Sequence, residues 1–140
     1  MDLRELGMAE IMNRLDPLFE LYPLKFLKRV PTERVTSQHM PCVLLLEGDD
    51  NIIKRHTGNY TGYPAQRVFN PIIEVWDLES GNVQNLRKQT LQMVLANNGL
   101  LVDKVILRES KTIGPFNLDE PGVLGMSVTF EMVYTDLGPF

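Results

Sequence analysis

Cysteine and histidine are scarce in this 140-residue sequence, which holds one of the first and two of the second. A lone Cys42 can close no internal disulfide and cannot build a thiolate zinc cage, so a reducing compartment is expected. Long apolar runs are missing as well. The longest, Val43-Leu44-Leu45-Leu46, is strand-sized, far short of the roughly 18 to 20 residues that a membrane helix needs. The opening Met1-Asp2-Leu3-Arg4-Glu5 carries acids and no apolar stretch follows, so no secretory signal is expected. There is no Gly-rich phosphate loop, Ser-centred nucleophile elbow or dinucleotide fingerprint. An excess of positive charge is also lacking. The net charge of -4 gives the surface no overall attraction to phosphate backbones or anionic lipid, although a local basic patch stays compatible with it.

What is present is ordinary globular usage, with 44% hydrophobic and 23% charged residues. The length suits one domain spanning residues 1–140 with a real core. Asp2 can cap a helix, with Glu5 returning the capping-box bond, and Met8, Ile11, Met12 and Leu15 recur at helical spacing. A helix is therefore predicted over 3–15, ended by Asp16-Pro17. A weak strand follows at 24–30. Pro41 to Leu46 reads as a central buried strand closed by a Gly48-Asp49-Asp50 turn.

From Asn51 to Pro64 the chain is polar and carries Gly58 and Gly62, which predicts a hairpin arm with a flexible tip. Gln66 to Trp76 predicts a strand with Phe69, Ile73 and Val75 on one face and Val68, Ile72 and Trp76 on the other. Asn82 is read as the cap of a second helix, with Val83, Leu86, Thr90, Leu91, Val94 and Leu95 as its stripe and Gly99 as its stop. A strand is expected over 101–108 and a connecting loop over 111–121. The clearest strand is the last, where Leu124, Met126, Val128, Phe130, Met132 and Tyr134 alternate with mainly polar residues. The whole is an α+β fold with a mixed, mainly antiparallel sheet, helices packed on one face and a long hairpin arm or loop.

Three constellations invite chemistry, and each has a plainer reading. Asp49 and Asp50 at a strand end can hold Mg²⁺ in phosphoryl-transfer enzymes, but turns favour Gly and Asp for conformational reasons alone. His39, Cys42 and His56 fall close in sequence, yet they are too few for a metal site, and a buried Cys42 with a loop His56 is simpler. Lys54, Arg55, His56 and Arg67 with Tyr60 and Tyr63 set cations among aromatics, as single-strand binders do. The neighbouring acids instead favour a solvated hairpin or a protein-contacting arm. Met8, Met12, Met126 and Met132 lie on predicted apolar stripes and read as core filling. No cofactor and no metal is expected.

An amphipathic N-terminal helix, Met40-Pro41-Cys42-Val43 leading into a strand and a Glu-Gly-Asp turn, the Ile73-Glu74-Val75-Trp76 strand, a helix, and a closing strand ending in Val133-Tyr134 form a recurring pattern. Over Met1 to Tyr134 it resembles the tail terminator and tail-completion proteins of tailed bacteriophages. The resemblance implies a non-enzymatic virion component, assembled in the host cytoplasm into a ring, usually hexameric in that family. Such a ring caps the head-proximal end of the tail tube, stops tube growth and joins the tail to the neck or connector. The implied partners are further copies of the chain, the tail tube protein and neck proteins, with DNA only passing through the channel. The residues expected at protein interfaces are Asp49, Asp50, Lys54, Arg55, His56, Tyr60, Tyr63 and Arg67. A head–tail connector or neck adaptor is the nearest alternative, and a small metal-dependent hydrolase using Asp49 and Asp50 is the alternative from another class. A nucleic-acid-binding module is the third.

Overall fold

The computed structural model describes residues 2–22, 24–29, 36–55, 62–117 and 122–138. Helix α1 (Leu3–Leu15) forms where predicted, and the Asp2 carboxylate accepts the N–H groups of Arg4 and Glu5 at 3.0 and 3.3 Å. The capping-box return from Glu5 is replaced by a stronger partner, because its carboxylate is held by the Arg29 guanidinium. After Pro17 the chain makes one short helix, α2 (Leu18–Leu21), then strand β1 (Phe26–Arg29). Strands β2 (Cys42–Arg55) and β3 (Ala65–Asp77) make a long hairpin, helix α3 (Ser80–Val94) follows, and β4 (Ile106–Asn117) and β5 (Leu124–Asp136) complete the sheet.

The sheet has five strands in the order β1-β2-β3-β5-β4, with β1 parallel to β2 and every other pair antiparallel. Alternation places Phe69, Ile73 and Val75 of β3 and Val128, Phe130 and Met132 of β5 on one face, all buried. Helices α1 and α3 cover that face with Met8, Ile11 and Leu15 and with Val83, Leu86 and Val94. Each such side chain contributes roughly 1.5 to 3 kcal/mol by leaving water. Met8 and Met132 are fully buried and Met12 packs against the same core, as core filling requires. On the opposite face Met40, Cys42, Leu44 and Val123 form a smaller cluster with Trp76.

Several sequence expectations need correction. Gly48-Asp49-Asp50 is no turn. β2 runs through it with a bulge between Glu47 and Asp50, and Gly48 permits the close approach there, since a Cβ would fall 2.5 Å from the Asn70 carbonyl oxygen. Asn82 is not the cap of α3. The first helical bond runs from Val83 N–H to the Glu79 carbonyl, which puts Asn82 inside the first turn. Gly99 does adopt the left-handed conformation, at φ +79°, but it closes a short 3-10 turn (Asn97–Gly99) beyond the helix end.

The end of α3 is satisfied from another element, as Arg14 of α1 donates to the carbonyls of Val94, Ala96 and Leu100 at 2.7 to 3.1 Å. Leu101 to Val105 is a turn, and the strand expected there begins at Ile106. The loop expected over 111–121 is strand as far as Asn117. From Arg108 to Pro115 β4 is exposed on both faces and shows no apolar alternation, so nothing in the pattern marks that stretch as strand.

β3 carries a proline in a central position. Pro71 has no N–H to give to the ladder, and by register it stands opposite Phe130. The Asn70 side-chain amide donates to the Phe130 carbonyl at 2.9 Å, which supplies the missing donor.

Candidate interface at the base of the hairpin

The β2–β3 hairpin extends past the start of α1, so the helix layer ends and polar residues take over the same face of the sheet. The bulge after Glu47 returns Asp50 to register with buried Phe69, and Arg67 pairs directly with Tyr134 of β5. Arg4, in the first turn of α1, lays its guanidinium over the Phe69 ring, 3.8 Å from the centroid.

Around Asp50 three donors converge. Tyr134 Oη donates to Asp50 Oδ2 at 2.6 Å, Arg4 Nη1 to the same oxygen at 3.2 Å, and Arg67 Nη1 stands 3.6 Å from Oδ1. Arg67 Nε also donates to Asp136 Oδ2 at 2.7 Å, and its Nη2 to Tyr63 Oη at 3.3 Å. A second branch runs outward. Arg4 Nη2 reaches Glu47 at 3.3 Å, and Arg29 of β1 bridges Glu47 at 3.4 Å to Glu5. The network thus clasps α1, β1, β2, β3 and β5.

Its electrostatics follow from these contacts. Burial pushes the Tyr134 phenol up, and the bond to the Asp50 carboxylate adds to the rise. Arg67 is held protonated by its bond to the Tyr63 hydroxyl and by Asp136 and Asp50. The Arg29 hydrogen bond holds the Glu5 carboxyl below its usual range. Asp50 Oδ1 is the one unusual atom. It is buried and accepts no hydrogen bond, so only the field of Arg67 compensates it. A cleft of about 600 Å³ opens beside the clasp, with Asp2, Leu3, Tyr63, Asp136, Leu137 and Gly138 among its walls.

This arrangement holds elements together and leaves little free for chemistry. Asp50 is matched by two guanidinium groups, while Asp49 is exposed on the strand and makes no pair with it. Among the described residues no three His, Cys, Asp or Glu side chains gather as a metal site would require. Cys42 is fully buried, and burial pushes its thiol up to about 12, so it is a poor nucleophile. His39 Nδ1 accepts the Thr36 N–H at 3.0 Å in a local turn.

Of the residues expected at an interface, Asp50, Tyr63 and Arg67 are brought together in the clasp. Asp49, Lys54 and Arg55 are exposed along the far half of β2. His56 and Tyr60 lie outside the described residues. The structure adds Arg4, Arg29, Glu47, Tyr134 and Asp136, which sequence reasoning missed. For Tyr134 a signal existed, because the antiparallel pairing of β3 with β5 sets it opposite Arg67. Arg4 gave none, since its partners lie 43 and 46 residues away.

No protein-family model matches the sequence, and no curated protein matches it by sequence. Solved structures do match by shape. A chain of the virion of a native gene transfer agent particle superposes with a TM-score of 0.60 at 11% identity, over 91% of this chain and 92% of that one. The gp17 protein of bacteriophage SPP1 superposes with a TM-score of 0.52 at 15% identity, over 96% of this chain and 92% of that one. At such identities the likeness establishes a shared fold, and it extends over nearly the full length of both partners.

Proposed function

We propose that this chain is a structural virion protein of a tailed phage or a related particle. It assembles into a homo-oligomeric ring at the head-proximal end of the tail tube, stops tube growth and joins the tail to the neck. The observation that carries this reading is the near full-length fold shared with a gene transfer agent virion chain and with bacteriophage SPP1 gp17. The site agrees with it. Its charges are spent on bracing a long two-stranded arm against the helix layer, which suits a part that must present a fixed shape to neighbours.

On this reading one face of the ring matches the last layer of the tube and the other presents a different surface, so a further tube subunit finds no partner. Asp49, Lys54 and Arg55 along β2 serve subunit contacts, where opposite charges set register more than strength. Asp50, Tyr63 and Arg67 act indirectly by fixing the base of the arm. Negative charge lining a channel would let DNA pass without sticking.

Deleting the chain from its particle tests the proposal, with tails and heads viewed by electron microscopy. Overlong or unjoined tubes are expected. Tails of normal length beside filled or leaking heads would instead assign the chain to the neck. Normal, infectious particles would overturn both.

A further inference from the structure

The two ends of the β2–β3 hairpin differ in charge, and each exposes apolar side chains. At the upper end Lys54 and Arg55 stand in register with Gln66 and Ala65, where β3 begins. Both cations are exposed, and beside them Ile53 is 56% exposed. At the lower end Leu78 and Glu79 follow Asp77, the last residue of β3. Tyr22 ties α2 to the same place, since its hydroxyl donates to Asp77 and to the Asn82 carbonyl, each at 3.1 Å. α2 is seated by buried Leu18 and leaves Phe19, Glu20 and Leu21 exposed. The apolar residues of this end, Phe19, Leu21 and Leu78, are 45, 67 and 50% exposed. At the rise of an extended strand, the 13 residues of β3 set the two ends about 40 Å apart.

The charges at both ends are unspent. Among the described residues Lys54, Arg55, Glu20 and Glu79 enter no ion pair. Glu79 precedes α3 without capping it through its side chain. Asp136 is level with Arg55 across the sheet, but Arg67 already holds it. Lys25 is the next cation along the chain from α2, and Glu20 and Glu79 outnumber it. The upper end is therefore basic and the lower end acidic. Two upper ends brought together set Lys54 and Arg55 against their own copies, and two lower ends set acid against acid. Only unlike ends attract, and their apolar side chains leave water in the same contact.

We propose that the distal arm of one copy, through Ile53, Lys54 and Arg55, docks on the α2 end of the next copy, formed by Phe19, Glu20, Leu21, Leu78 and Glu79. Burial of the exposed apolar side chains gives the contact its strength, and the charges fix which end meets which. The contact is heterologous, with two different surfaces on every copy, so a constant turn from one copy to the next closes a ring. The inference rests on the ring reading above and adds the surface that receives the arm.

Exchanging the charges tests it. One chain carries Lys54→Glu and Arg55→Glu, a second carries Glu20→Lys and Glu79→Lys, and a third carries all four substitutions. Light scattering reads their mass under conditions where wild type assembles, and thermal melts check that each is folded. A second measurement keeps every native charge. Ile53→Cys and Leu78→Cys, singly and together, are treated with a short bis-maleimide, while buried Cys42 stays unmodified in the folded chain. Within one chain the two positions are about 40 Å apart, too far for a short linker.

Loss of assembly in each twofold reversal and its return in the fourfold chain support the joint, as does a covalent ladder beyond the dimer from the double cysteine variant with monomer from each single. A folded fourfold chain that stays monomeric overturns it, and so does a Glu20→Lys, Glu79→Lys chain that assembles as wild type does. A dimer from Ile53→Cys alone signals arm on arm and overturns it as well. Rings seen by negative stain without any cross-link overturn the joint and leave the ring reading standing. A wild-type chain that stays monomeric by light scattering, alone and with tail tubes, overturns both.

Discussion

Tyr134 and Asp50, 84 positions apart in the chain, meet in a 2.6 Å hydrogen bond that locks the last strand to the base of the hairpin. The bond runs from a buried phenol to a carboxylate whose other oxygen has no hydrogen-bond donor. Replacing Tyr134 by Phe keeps the ring packing and removes one strong donor. Hydrogen bonds to charged groups are worth about 1.5 to 3 kcal/mol, so Tyr134→Phe is expected to lower unfolding free energy by that order. Urea denaturation at neutral pH measures it, and an unchanged midpoint would show that the clasp is loose.

Stability should also fall at high pH through Tyr22. Its hydroxyl donates to Asp77 and to the Asn82 carbonyl, each at 3.1 Å, and burial together with the Asp77 charge pushes its pKa from 10.0 to about 12. Between those values the unfolded chain releases a proton that the folded chain keeps. Stability is therefore whole below pH 10 and declines as pH rises, by at most about 1.4 kcal/mol per unit for this group. Tyr134, shifted in the same direction, adds to the decline. Tyr22→Phe should start less stable at pH 8 yet lose less between pH 10 and 12 than wild type does.

The sequence made some elements plain and concealed others for physical reasons. β5 could be read because one of its faces is buried and the other polar, and α1 because Asp2 caps an apolar stripe at helical spacing. Beyond Leu107 β4 has no buried face to print an alternation, so its Gly114-Pro115 step reads as loop. At Gly48-Asp49-Asp50 turn chemistry and bulge chemistry use the same residue types, and only pairing with β3 decides between them. The interface residues were chosen from charge along one segment. Asp50, Tyr63 and Arg67 meet at the base of the arm, but the clasp draws Arg4, Tyr134 and Asp136 from remote segments that no local pattern joins.

The bulge sets a limit on Gly48. Its φ is not in the left-handed region, so the constraint is space, where a Cβ would meet the Asn70 carbonyl oxygen at 2.5 Å. Gly48→Ala must part β2 from β3 at that point. A loss of about 1 to 3 kcal/mol is expected by analogy with overpacking, seen as a lower thermal midpoint.

Asn70 and Pro71 should behave as a coupled pair. Asn70→Ala strips the Phe130 carbonyl of its donor inside the sheet, at a cost of about 1 to 3 kcal/mol. If Pro71 is first replaced by Ala, a backbone N–H becomes available beside that carbonyl. The cost of Asn70→Ala should then shrink by 1 kcal/mol or about that. Additive losses in the double-mutant cycle would mean that the two residues do not serve the same acceptor.

Charge reversal separates residues that brace the arm from residues that meet a neighbour. Arg67 bonds Asp136 and Tyr63 and faces Asp50, so Arg67→Glu sets three carboxylates together in a half-buried site and should unfold the base of the hairpin. Lys54 and Arg55 are exposed beyond that base. Reversing both to Glu should leave the unfolding free energy within about 0.5 kcal/mol of wild type, as exposed substitutions do. If the chain assembles as proposed, ring formation should nevertheless weaken, and the defect should change with salt, because exposed charges act within a screening length. Light scattering across a salt series, run beside thermal melts, reads both effects. Intact assembly in the Lys54→Glu, Arg55→Glu chain would take the distal arm out of the subunit contact, and a lowered melting point would return those residues to the fold.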